Sequence, residues 1–131
     1  MMRKIITYVL VVLAIIIMII IVIALANPLR KSQEQITKDI LKLTPIGTDI
    51  KDVVHVIETN EKWEWSGHIN PNGFLKQPAP PEPRTTVGTQ SIRVLIGDYR
   101  NIFVTSVTVF WGFDENSKLV DVWVWKNTDL P

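Results

Sequence analysis

The chain of 131 residues contains no cysteine. That absence removes disulfides, a lipid-modified cysteine anchor, thiolate catalysis and cysteine-based metal sites together. Histidine is almost as scarce, with His55 and His68 the only two, and they fall in different expected elements. No H-E-x-x-H, Walker loop or G-x-G-x-x-G occurs, and no serine stands in a nucleophile-elbow context. Asp114-x-Asn116 opens like a calcium loop but lacks the central glycine and the later ligands. Asp98 and Asp121 have no spacing that requires a shared cleft. These gaps argue against an enzyme and imply no cofactor and no metal site.

Charge of one sign does not accumulate. Arg3 and Lys4 aside, the Lys and Arg residues are scattered among 13 Asp and Glu. Neither a basic stripe for nucleic acid nor an acidic tail is present. From Ile5 to Ala26 there is no charge at all. A helix over those positions, at about 1.5 Å per residue, is roughly 33 Å long and matches a bilayer's hydrocarbon core. Only Thr7 and Tyr8 interrupt its apolar character, both near one end. The basic head Met1-Met2-Arg3-Lys4 favours an N-in, C-out signal anchor, although Arg30 and Lys31 follow on the far side. Ala24-Leu25-Ala26 offers an A-x-A cleavage site, but cleavable apolar regions run about 7–15 residues and this one is longer. The expectation is a membrane anchor at 1–26, meeting the bilayer through residues 5–26, and an extracytoplasmic domain at 27–131. With no disulfides, that domain must be held by its buried core.

Two helices are expected to open the domain. Ser32-x-x-Gln35 has the form of a capping box, and Ile36, Ile40 and Leu43 recur at helical spacing with Leu41 beside them. Lys38 and Lys42 lie off that stripe. Pro45 and Gly47 then break the helix. Thr48 stands at the expected N-cap of a second helix over about 49–59, with Asp49 and Asp52 in its first turn. Ile50, Val53, Val54 and Ile57 form its apolar stripe, and His55 lies off it.

From Glu61 the period changes. Trp63 and Trp65 alternate about Glu64 as a short strand would, and Asn70-Pro71-Asn72-Gly73 carries strong turn chemistry. The stretch 77–84, QPAPPEPR, has four prolines in eight residues. It reads as an extended surface connector, with the aromatic-groove ligand as the sharper alternative. "SIRVLIGDY" alternates Ile92, Val94 and Ile96 against Arg93 and Leu95, with Gly97 expected to close the strand. "NIFVTSVTVFWGF" and "LVDVWVW" form a hairpin about the loop Asp114-Glu115-Asn116-Ser117. Pairing Phe113 with Lys118 sets Trp111 opposite Val120, Val109 opposite Val122 and Val107 opposite Val124 on one apolar face. The other face then carries Phe110, Asp121, Trp123 and Trp125, with Thr108 and Ser106. Residues 66–91 are long enough to cover that face, and Trp63 and Trp65 are candidates to pack there.

The helix pair, the Ile46-Gly47-Thr48 entry to the second helix with Val53-Val54 beyond, and strands ending in "FDENSKLVDVWV" resemble a known group. They are similar to the small α+β domains of outer-membrane assembly lipoproteins of the SmpA/BamE type and to the repeats of β-lactamase inhibitory protein. The resemblance covers roughly residues 32–126. It implies two helices on one sheet face and a protein partner at the other face or its edges. This chain departs from it in having no lipobox cysteine, so that a helix replaces the lipid anchor, and in carrying the proline-rich insertion.

The expected fold is therefore α+β: an N-terminal transmembrane helix, then two helices packed on a three- to four-stranded antiparallel sheet. The expected role is a membrane-anchored, non-enzymatic module of the bacterial cell envelope that binds another envelope protein and no nucleic acid. Trp123 and Trp125 would be the anchors, Phe110 would lie beside them and Asp121 would supply a polar contact. One alternative is an envelope structural or stress protein held at lipid headgroups by Arg30, Lys31, Lys38 and Lys42. Another is an inhibitor or immunity protein with a single tight partner.

Overall fold

The computed structural model describes residues 1–25, 27–78, 80–100 and 102–129. Ala26, the last residue of the A-x-A motif, and Ala79 of the proline-rich stretch lie outside them. The chain divides into two compact units, Met1–Lys31 and Ser32–Pro131.

The first unit is the helix α1, Met2–Leu25, followed by a single 3-10 turn at Pro28–Arg30. Within α1, Met2–Ile23 is long and apolar enough to cross a membrane, and its side chains are exposed throughout. A signal anchor and a signal sequence both take this form.

The second unit is α+β, as expected. It runs α2 (Gln33–Leu43), α3 (Ile50–Thr59), β1 (Phe74–Lys76), β2 (Thr85–Val87), β3 (Gln90–Arg100), β4 (Val104–Phe113) and β5 (Leu119–Asp129). The three long strands form an antiparallel sheet in the order β3-β4-β5, and β1 and β2 pair as a separate short hairpin.

The Ser32 hydroxyl accepts from the Gln35 amide at 3.1 Å and starts α2. Ile36 and Ile40 are buried, but Leu43 is 52% exposed. The helix ends there, and its stripe is completed instead by the buried C-cap Thr44. The N-cap of α3 is Asp49, one residue later than Thr48, and its carboxylate accepts from the Lys51 amide. Thr48 is diverted because this segment pairs with the start of β5: Gly47 donates to the Leu119 carbonyl, and Leu119 to that of Thr48. Val53 and Ile57 are the buried residues of α3.

The inner sheet face carries Ile92 and Val94 from β3, Val109 and Trp111 from β4, and Val122 and Val124 from β5, all buried. The β4–β5 register differs from the expected one by two residues: Trp111 opposes Val122, Val109 opposes Val124, and Val107 opposes Lys126. Two events add up to that difference. The turn holds five residues, Asp114 to Lys118, with Ser117 at φ 61° and Asp114 Oδ1 accepting from the Asn116 and Lys118 amides. This places Leu119 opposite Phe113. A bulge then inserts Val120 before Asp121 pairs with Gly112. Each event alone would turn the strand over, and together they restore the side-chain alternation. Leu119 enters the core and Val120 faces out, 40% exposed.

β3 does not stop at Gly97. A bulge between Leu95 and Gly97 lets the strand continue to Arg100, with Gly97 at φ 148° where an L side chain is strained. The tryptophan pair before the hairpin forms no strand, only the single bridge Glu64–Leu95. Trp63 packs 6.1 Å from Trp111, on the helix side of the sheet and away from the outer face.

Candidate binding groove

The outer sheet face is built by the alternation that buries the valines beneath it. Phe110 pairs directly with Trp123, and Thr108 with Trp125, on neighbouring strands. Their rings form a ladder. Phe110 and Trp123 lie 5.3 Å apart at 28°, and Trp123 and Trp125 lie 6.2 Å apart at 18°. Offset rings at these separations attract one another beyond the area they bury.

The β1–β2 hairpin covers one end of the ladder. Phe74 sits 6.4 Å from Trp123, nearly parallel at 10°, and 5.6 Å from Phe110, and is itself buried. Gly112 makes this landing possible, because a Cβ there would lie 2.8 Å from Val87 Cγ1 and 2.9 Å from Phe74 Cε1. Lys76 of β1 reaches Asp121 of β5 at 3.3 Å and ties the hairpin to the sheet. Ser91 Oγ donates to the Asn72 carbonyl, and Asn70 and Ser91 exchange backbone hydrogen bonds, which fixes the approach to the hairpin.

Between this covered end and the open end at Trp125 lies a groove of about 530 Å³. Phe110, Trp123 and Trp125 form its floor, and Phe74, Leu75 and Gln77 come from the hairpin. His68 and Asn70 add polar edges, and Arg93 is its one charged lining residue. The Arg93 guanidinium carbon stands 5.8 Å over the Phe110 ring. Among the described residues, that guanidinium makes no hydrogen bond or ion pair. Trp125 is 38% exposed, unusual for a large aromatic continuous with a packed stack.

Of the four residues expected at the site, three share the groove: Phe110, Trp123 and Trp125. Asp121 lies on the same face but outside the lining. Its carboxylate is engaged by Lys76 on one oxygen and accepts from the Val122 amide at 2.8 Å on the other. It ties the hairpin to the sheet. Phe74 and Arg93 were not singled out by sequence. Arg93 was legible as an outer-face residue from its alternation in β3. Phe74 was hidden in a stretch whose prolines and turn residues conceal two three-residue strands. Trp65, expected near this face, is half-buried and donates its indole N–H to the His68 carbonyl at 3.2 Å. It braces the loop that carries His68.

Comparison with family models, curated proteins and solved structures finds no match. The geometry of the groove alone carries the functional argument.

Proposed function

We propose that Ser32–Pro131 is a non-enzymatic binding module of the bacterial cell envelope, held at the membrane by α1 in an N-in, C-out sense, and that a protein partner seats in the aromatic groove. The observation that carries this reading is Trp125. It ends a packed aromatic ladder, yet presents an open ring to a groove that also holds Arg93, whose guanidinium lies over Phe110 and makes no hydrogen bond or ion pair among the described residues. Rigid aromatics of this kind bury a large area on binding with few torsions to freeze, and Arg is the charged residue most favoured beside them. A pocket with an apolar floor and a few polar groups at its rim is the usual form of a recognition site.

The test uses the full chain in its native membrane, with a photo-cross-linking benzoylphenylalanine at position 75 on the groove rim. A cross-linked species of defined mass is expected, and it should disappear in Trp125→Ala and in Arg93→Ala variants that keep the parent melting temperature. Cross-linking that is indifferent to both substitutions would remove the groove from the mechanism. Orientation is tested separately: externally added protease should degrade the second unit in intact cells, and resistance there would reverse the assignment.

A further inference from the structure

The groove carries a single charge, and we infer that its occupant is an extended acidic segment of the partner protein, with an aspartate or glutamate side chain on Arg93 and apolar side chains along Trp123 and Trp125. This names the partner's chemistry and rests on the reading of the groove as a protein-binding site.

The argument begins with the row in which Arg93 stands. Its pairing partner on β4 is Phe110, whose own partner on β5 is Trp123. The three cross the sheet at about 4.8 Å per strand, and the guanidinium leans over the Phe110 ring at 5.8 Å. That contact restrains the side chain without consuming its five N–H donors, which lie in a planar fork. Among the described residues no acceptor takes them. A carboxylate presents two oxygens at the spacing of that fork and forms the shorter, stronger bonds of a charged pair.

Charge selects the same guest. Arg93 is the one charged residue of the lining, while Lys76 and Asp121 of the covered end satisfy each other. An acidic segment is therefore matched and a basic one repelled. Phosphorylated segments are met by clusters of arginine, and no second cation lines the groove. One guanidinium answers one carboxylate.

Shape favours an extended chain. A groove of about 530 Å³ takes a short stretch of polypeptide, whereas a helix with its side chains is about 10–12 Å across. An extended guest brings unpaired backbone N–H and C=O groups that need partners, and the exposed side chains of His68 and Gln77 line the groove to meet them. Spacing agrees as well. Ring steps of 5.3 and 6.2 Å lead from Phe110, beneath the guanidinium, through Trp123 to Trp125. Side chains on one face of an extended chain recur about every 6.8 Å. A carboxylate at Arg93 thus sets the next two side chains of that face over Trp123 and against the open ring of Trp125.

The test presents the full chain, in detergent micelles, with a bead library of random eight-residue peptides. Both peptide ends are blocked, so that only side chains offer a carboxylate. The enriched sequences should carry Asp or Glu with apolar residues at alternate positions beside it. Arg93→Glu, at the parent melting temperature, should replace that acid with Lys or Arg. A dye-labelled leading peptide, followed by anisotropy, should bind about tenfold more weakly when its acid is changed to the amide. Arg93→Gln should weaken the acidic peptide by a similar factor and leave the amide peptide unchanged, which isolates the pair. Trp125→Ala should weaken both peptides alike. An acid preference that survives Arg93→Glu overturns the inference. If the library returns no acidic sequence while position 75 still captures a protein in a Trp125-dependent way, the groove stands as a binding site and its occupant is not acidic. If the library returns nothing and position 75 captures nothing, the groove reading falls as well.

Discussion

Thr44 and Trp111 lie 67 positions apart and meet in a buried hydrogen bond, the indole Nε1 donating to the threonine hydroxyl at 3.0 Å. That hydroxyl donates in turn to the Ile40 carbonyl at 3.0 Å. One side chain thus caps α2 and ties it to the middle strand. Thr44→Val keeps the shape but strands a buried indole N–H, which costs about 1–3 kcal/mol. In a domain near 100 residues each kcal/mol lowers the melting temperature by roughly 4–8 °C. Thermal unfolding by circular dichroism checks this, and an unchanged midpoint would mean the bond contributes nothing net.

The two tryptophans of the C-terminal pair should behave differently. Trp123 is half-buried among Phe74, Phe110 and Trp125, and truncation to alanine should cost about 3 kcal/mol, the low end for a packed aromatic. Among the described residues Trp125 has one ring neighbour, and its other side is open; its truncation should cost under about 1 kcal/mol. Urea unfolding of the two single variants, side by side, measures the contrast. Equal losses would place Trp125 in the core.

Gly112→Val is expected to destabilise by about 1–3 kcal/mol through overpacking, because the new side chain occupies the space of Phe74 and Val87. The damage should be local. Hydrogen exchange should accelerate over β1 and β2 while Val109 and Val124 stay protected, and uniform loss of protection would contradict the separate docking of the hairpin.

Acid sensitivity should have a source at Asp49. The Lys51 backbone amide first, and then the Lys118 ammonium at 3.1 Å, hold its carboxyl below the ordinary carboxylate range. A carboxyl lowered on folding adds stability above its unfolded value, near 3.9, and loses it as the pH falls through the folded value. Asp49→Asn should therefore melt below wild type at pH 7, with the gap narrowing as the pH drops below about 4. Parallel melting curves across that range would show that the pair carries no linkage. High salt should shrink the Lys118 share in the same way.

Much of the architecture was legible because burial imposes periodicity. Ile36 and Ile40, Val53 and Ile57, and the alternating valines of β4 and β5 announce their elements before any coordinate is known. The outer aromatic face followed from the same alternation. The register did not, because the left-handed Ser117 and the bulge at Val120 obey turn geometry, which hydrophobic pattern does not encode. Nor did the β1–β2 hairpin, whose three-residue strands are too short to show a period. Leu43 was expected on the buried stripe, and Thr44 takes that place for a similar reason. A polar residue buried at a helix end is justified only by Trp111, far away in sequence.

That hairpin has a consequence for how tightly anything can bind. One wall of the groove belongs to a two-stranded ribbon docked over Gly112 through Phe74 and tied by the Lys76–Asp121 contact, while the floor belongs to the main sheet. Short ribbons of this sort open and close on their own, well below the energy of global unfolding. The competent shape therefore exists only for the fraction of time the ribbon is down, and apparent affinity scales with that fraction. Reciprocally, an occupant clamps the ribbon shut. Substitutions at Gly112, or at the Lys76–Asp121 tether, would tune recognition without touching the guest.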